Sequence, residues 1–155
     1  MVGIERWLPV VGYEGSYEVS DQGRVRSLER VIQQTDAQGN LYPRRMRGRI
    51  LKRKYCAKGP YGRWCTVLLG LGVEGQKYWL VHRLVLLAFI GPCPEGKEQG
   101  AHWDGNPENN ALANLRWASQ QENRDDMTRH GRHRNNTGTF CRTFSIETLR
   151  DIREQ

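Results

Sequence analysis

Hydrophobic and polar positions change their period several times along this chain. Residues 5–28, ERWLPVVGYEGSYEVSDQGRVRSL, set short Val- and Tyr-bearing runs between Gly12, Gly15 and Gly23. That is the pattern of small strands and tight turns, and it predicts strands at YEVS and GRVRSL joined at Asp21-Gln22-Gly23. Residues 33–42, QQTDAQGNLY, carry no apolar period and read as a loop. PRRMRGRILKRKYCAKGPYGRWCTVLLGL follows, and its GP and YG steps predict a hairpin. KYWLVHRLVLLAFI (77–90) starts as a strand and turns helical, with Leu80, Leu84 and Leu87 as a buried stripe and Phe89 near its end. The Pro/Gly segment GPCPEGKEQG stops that helix.

GAHW then predicts a short strand, DGNPENN a loop of turn formers, and NLRWAS a second strand. SQQENRDDMTRHG suits a helix: Ser119 is the N-cap, Glu122 completes a capping box, and Gly131 ends it. The tail RHRNNTGTFCRTF is polar. FSIETLRDIREQ opens a last helix capped by Ser145, with Ile146, Leu149 and Ile152 on one face.

Charge sharpens the picture. The chain has 155 residues and a formal net charge of +7, which favours a polyanionic partner. No acid lies between Asp36 and Glu74, while Arg44, Arg45, Arg47, Arg49, Lys52, Arg53, Lys54, Lys58 and Arg63 stand there among Tyr55, Tyr61 and Trp64. A basic ribbon bearing aromatics suits a groove of DNA, with Arg and Lys on phosphates. Arg24 and Arg26 alternate with Val25 and share a strand face, either as further phosphate contacts or as a solvated edge. Aromatics on a β-surface also permit RNA. The longest apolar run is broken by His82 and Arg83, so no membrane span is expected, and MVGIERW has no secretory pattern. Cys56, Cys65, Cys93 and Cys141 form no C-x-x-C pair and read as reduced thiols, with a Cys56–Cys65 bridge across a hairpin as the alternative.

His102, Asn114 and Asn123 carry the candidate chemistry. Phosphodiester hydrolysis needs a base near neutral pKa, a hard cation at the scissile phosphate, and a group that orients the base. A histidine suits the first and an amide oxygen the second. An Asn bonded to loop backbone suits the third. His102 ends the first strand, Asn114 starts the second, and Asn123 sits in the first turns of the helix. The expected packing brings all three to one pocket. His82 reads as a core or edge residue.

HWDGNPENNALANLRWASQQEN resembles the HNH, or ββα-metal, nuclease motif in the form that ends in Asn. ERWLPVVGYEGSYEVSDQGRVRSL resembles the small DNA-binding module that precedes it in phage homing endonucleases, and YWLVHRLVLLAFIG the segment leading into it. The resemblance spans about residues 5–130 and implies an α+β fold. A β-rich DNA-binding lobe (1–75) would precede an HNH domain (76–131), and 132–155 would be a polar tail opening a truncated helical module. His102 would be the general base, Asn114 the brace of its loop, and Asn123 a ligand of a divalent metal, Mg²⁺ or alternatively Mn²⁺. The implied activity is hydrolysis of double-stranded DNA to 5′-phosphate and 3′-hydroxyl ends in the cytoplasm of an infected host, with oligomeric state open. Asn109, Asn110 and Asp104-Gly105 match the family's turn and read as structural. One position departs: Ala101 stands where the family often has an Asp or Asn metal ligand, so a water or Asp104 would fill that place. The alternative is a DNA-binding protein with a decayed nuclease site.

Overall fold

The structure, a computed structural model, describes residues 4–55, 65–70 and 76–131. It is an α+β protein in which every strand pairing is antiparallel. Strands β1 (Trp7–Pro9), β2 (Tyr17–Ser20), β3 (Val25–Ser27) and β6 (Arg49–Ile50) form one sheet in the order β1-β2-β3-β6. Among the described residues strands β4 (Arg30–Thr35) and β5 (Leu41–Met46) pair with each other alone. A third sheet runs β7 (Lys54–Tyr55), β8 (Cys65–Leu69), β9 (Lys77–Leu80). Helix α1 (Val81–Phe89) continues directly from β9. The ribbon β10 (Gln99–His102) and β11 (Leu115–Ala118) follows, then α2 (Gln120–Arg129).

Two expectations are corrected. Residues 33–42 are not a loop: they are the tip and flanks of the β4–β5 hairpin. Its turn is closed by Asp36, whose carboxylate accepts from the backbone of Gln38 and Asn40 and from the Asn40 amide. Gly39 supplies the left-handed residue at φ 89°. Apolar alternation is missing because most of both faces meets solvent, so no periodicity was imposed by burial. Nor do Arg44–Lys54 form one ribbon. Arg44 and Arg45 lie on β5, Arg49 on β6 and Lys54 on β7, which pair with β4, β3 and β8 respectively, and Arg47, Lys52 and Arg53 stand between these strands. The expected hairpin tip at the GP and YG steps, Cys56 with its alternative bridge, Arg63, and the tail with Cys141 and its helix fall outside the described residues. Cys65 and Cys93 are free thiols.

One apolar core runs through the molecule. Val10 just after β1 and Tyr17, Val19 and Val25 of the first sheet pack with Val67 and Leu69 of β8, Val81, Leu84 and Val85 of α1, and Leu115 and Trp117 of β11. Val81, Leu84 and Val85 follow i, i+3, i+4 spacing, so burial of this face drives α1, which has no side-chain cap. Tyr17 links the parts by polar contacts too, its hydroxyl donating to the Gly70 carbonyl at 3.0 Å.

Helix α2 is held differently, since only Asp126 on it is buried. The Ser119 hydroxyl accepts from the Glu122 amide at 3.1 Å, and the Glu122 carboxylate accepts from the Ser119 amide at 2.7 Å. The box fixes where the helix begins and contributes on the order of 1 kcal/mol. Bonds from Ser119 N–H and from Lys97 hold the Glu122 carboxyl at about 2. Gly131, at φ 65°, closes the C-terminal end as expected. Among the described residues no helix is long and apolar enough to cross a membrane.

Candidate active site

The β10–β11 ribbon is the platform. Its register pairs Gln99 with Ala118, Gly100 with Trp117, Ala101 with Arg116 and His102 with Leu115. Alternation sends Gly100 and His102 to one face and Gln99 and Ala101 to the other. The first face meets α1. A Cβ at Gly100 would lie 2.5 Å from the His82 ring, so only glycine lets the helix seat this closely. The rings of His82 and His102 then meet edge to face, centroids 5.2 Å apart. The second face meets α2, where Asn123 donates to the Gln99 side-chain oxygen at 2.7 Å. The Arg116 guanidinium bonds the buried Asp126 carboxylate and ties this face to the helix.

The loop between the strands is built by side-chain amides. Asn114 accepts from the Asp104 backbone at 3.0 Å and donates to the Asp104 carboxylate and the Asn109 carbonyl, both at 2.9 Å. Its own carbonyl accepts from Trp103 N–H. Asp104 also accepts from Asn106 N–H at 2.7 Å and from the Asn109 amide at 2.7 Å. Partial burial pushes its carboxyl up, but these bonds outweigh burial and hold it below the ordinary range. This carboxylate is therefore engaged inside the loop.

His102 is 7% exposed. Its Nε2 lies 3.1 Å from Asn110 Oδ1. Burial lowers the imidazole pKa, against smaller upward contributions from Asn110 and Asp104, so the ring is neutral at physiological pH. His82 is held well below its ordinary value by burial, then by His102 and Arg83. It is the core histidine that its apolar setting predicts.

The structure thus brings His102 and Asn114 into one loop, while Asn123 reaches the ribbon from its other face. Strand alternation sets the Gln99/Ala101 side, which Asn123 meets, opposite the side on which His102 packs against α1. The donors toward α2 are the neutral amides of Asn123 and Gln99, and Ala101 adds a methyl group. Among the described residues no group of three His, Cys, Asp or Glu could hold a metal ion. Mg²⁺ is usually bound by few protein groups together with waters and substrate phosphates, so here the protein's share would be the amide oxygens on the α2 side of the ribbon, with phosphate and water oxygens completing the set.

Sequence reasoning took Asn110 as purely structural and missed its bond to His102. It also passed over Trp103, 52% exposed beside that histidine and stacked on the Arg116 guanidinium at 4.3 Å. An aromatic directly after the histidine, in a polar loop, was the available signal.

The basic residues fall into two sets. Arg24 and Arg26 flank Trp7, their guanidinium carbons 5.7 and 4.2 Å from its ring centre, and pair with Glu5 and Glu18. Their charge is largely compensated within the protein. Arg44, Arg45, Arg47, Arg49, Lys52 and Lys54 are exposed and Arg53 half-buried. Within this second set Arg45 pairs with Glu29, Arg44 bonds Gln34, and Lys54 bonds the Tyr78 hydroxyl.

Comparison with known proteins matches residues 5–67 to the NUMOD4 motif and residues 80–125 to the HNH endonuclease family. The chain is 34% identical over 129 residues to the DNA endonuclease I-HmuI of Bacillus phage SP01, an alignment covering 81% of this chain and 59% of that protein. A solved structure described as DNA binding and cleavage by the HNH homing endonuclease I-HmuI superposes with a TM-score of 0.60 at 26% identity, covering 96% of this chain and 66% of that one. The chain therefore spans less than two thirds of either relative's length. The two matched segments stand in the order that the β-rich module and the ribbon-and-helix site occupy in the fold, and the chain carries an HNH endonuclease segment at residues 80–125 preceded by a NUMOD4 motif at residues 5–67.

Proposed function

We propose that this chain is a DNA endonuclease that hydrolyses phosphodiester bonds in double-stranded DNA; the similar protein I-HmuI is by name a DNA endonuclease. The observation that carries the reading is His102. It is a neutral imidazole at a strand end, 3.1 Å from Asn110 Oδ1, in a loop closed by Asn114, on a ribbon followed by a capped helix in family order. His102 takes a proton from the attacking water as oxygen bonds to phosphorus. The bond to the 3′-oxygen breaks, solvent protonates that oxygen, and the ends are 5′-phosphate and 3′-hydroxyl. Asn114 keeps the loop in the shape that presents His102. Family use of a divalent ion makes Mg²⁺ or Mn²⁺ the cofactor to supply. Among the described residues Asn123 is the amide placed to contribute a protein ligand, and DNA phosphates and waters would supply the remaining oxygen donors.

In this reading residues 1–75 dock the duplex and 76–131 cut it. Arg44, Arg47, Arg49, Lys52 and Arg53 are the principal phosphate contacts, with Arg45 and Lys54 released from weak surface pairs on binding. Arg24 and Arg26 contribute less, since Glu5 and Glu18 already pair with them. The β4–β5 hairpin supports docking as well. A two-stranded ribbon with both faces largely in water is marginal alone and suited to a groove.

Supercoiled plasmid, incubated with the protein and Mg²⁺ or Mn²⁺ and with EDTA as control, tests this. Wild type nicks, and His102→Ala binds DNA without nicking. Equal nicking by the two proteins removes His102 from the mechanism. A second reading, a DNA-binding protein whose nuclease site has decayed, is favoured by Ala101 alone. Duplex binding without nicking under either metal would select it.

A further inference from the structure

We infer that Asn110, clamped from behind by the β2–β3 turn of the N-terminal module, is a positioning residue that fixes the tautomer and plane of the His102 ring. The N-terminal module is then part of the catalytic centre as well as a DNA-docking element.

The inference starts from the amide. Asn110 is 2% exposed. Its Nδ2 donates to the carbonyls of Pro107 and Glu108, each at 3.3 Å. Nitrogen is therefore committed to backbone acceptors and Oδ1 must face His102 Nε2. An amide oxygen only accepts, so Nε2 carries the ring proton and Nδ1 is the unprotonated ring nitrogen. The edge of His82 limits rotation of the same ring from α1.

The clamp is a second, independent observation. Gly23, at the tip of the turn between β2 and β3, has φ 73°. A Cβ there would stand 2.6 Å from the Asn110 carbonyl oxygen and 2.7 Å from its Cβ. The Asp21 carbonyl accepts from Leu112 N–H at 2.8 Å, strapping the turn to the same loop. Charged and titratable groups near the pair are His82 on α1, Asp104 in the loop, and the Cys65 thiol on β8, whose surroundings include Asn110, Arg53 and Glu108.

Because this rests on His102 as the general base, the test has one arm that needs no activity. In ¹⁵N-labelled protein at a pH where the imidazole is neutral, the His102 Nε2–H should appear as a slowly exchanging proton resonance, assigned by its loss in His102→Gln. Asn110→Ala should abolish that resonance, and Asn110→Asp, which keeps an acceptor oxygen, should retain it. Gly23→Ala, with no contact to His102, should weaken it. Thermal melts identify any variant that fails to fold, and the wild-type spectrum alone still decides the tautomer. A proton on Nδ1 in wild type, or an unchanged Nε2–H in folded Asn110→Ala, overturns the proposal. In the second arm Asn110→Ala should lower kcat for nicking about tenfold, part of the roughly 10²–10⁴-fold value of a general base, at unchanged DNA affinity. A fall in DNA affinity with kcat intact counts against it. If wild type does not nick while the resonances behave as stated, the functional reading fails and the positioning role stands.

Discussion

Gly23 offers the sharpest perturbation of how the two halves of the molecule meet. Replacing it with alanine imposes two costs. Its φ of 73° is left-handed, which costs an L-residue about 1–2 kcal/mol. The new methyl would also meet backbone: Asn110 O at 2.6 Å, Asn110 Cβ at 2.7 Å and Asn110 C at 2.9 Å. These atoms cannot rotate aside, and the Asp21–Leu112 bond holds the loop in place. Overpacking of this kind costs about 1–3 kcal/mol, so Gly23→Ala should lose about 2–5 kcal/mol in all. Gly15 provides the control, since its φ is 71° but nothing lies within 4 Å of a Cβ there. Gly15→Ala should lose only the first, about 1–2 kcal/mol. Urea unfolding followed by tryptophan fluorescence reads both, with equal m-values required before midpoints are compared. Equal losses for the two variants would refute the close approach of the β2–β3 turn to the histidine loop.

The ribbon, the basic surface and the two histidines can each be perturbed as well. Ala101→Asp places a carboxylate on the ribbon face that Asn123 approaches, so calorimetry should detect Mg²⁺ binding and nicking should rise. A variant that binds no more Mg²⁺ than wild type would show that the position is not a ligand site here. Charge reversal at Arg47, Arg49 and Lys52 should weaken duplex binding and flatten its dependence on log salt by about 0.9 for each phosphate no longer neutralised. An unaltered slope would move the docking surface elsewhere. His82 and His102 are both held neutral in the fold, so below their ordinary 6.5 the unfolded chain binds more protons than the folded one. Stability should therefore be full above that pH and fall on acidification toward the folded values, by at most about 1.4 kcal/mol per pH unit for each histidine. Urea midpoints between about pH 7.5 and 5 check this, and His82→Leu should reduce the slope.

Sequence determined what depends on neighbours along the chain. Ser119 and Glu122 announce the start of α2 because a capping box is complete within a single helical turn. The Asp21-Gln22-Gly23 turn, the change from strand to helix within residues 77–90 and the β10–β11 ribbon were legible for the same reason, since apolar period and turn chemistry are local. The β4–β5 hairpin escaped notice because a ribbon exposed on both faces needs no hydrophobic alternation. Tertiary structure alone decided which faces meet. It divided the basic run among three strand pairs, set His82 against His102, turned Asn123 to the opposite face of the ribbon from that histidine, and pressed Gly23 onto Asn110 from the far half of the chain. Such contacts follow from how separately formed elements share one core and which backbones can approach closely, and no pattern confined to a single segment encodes them.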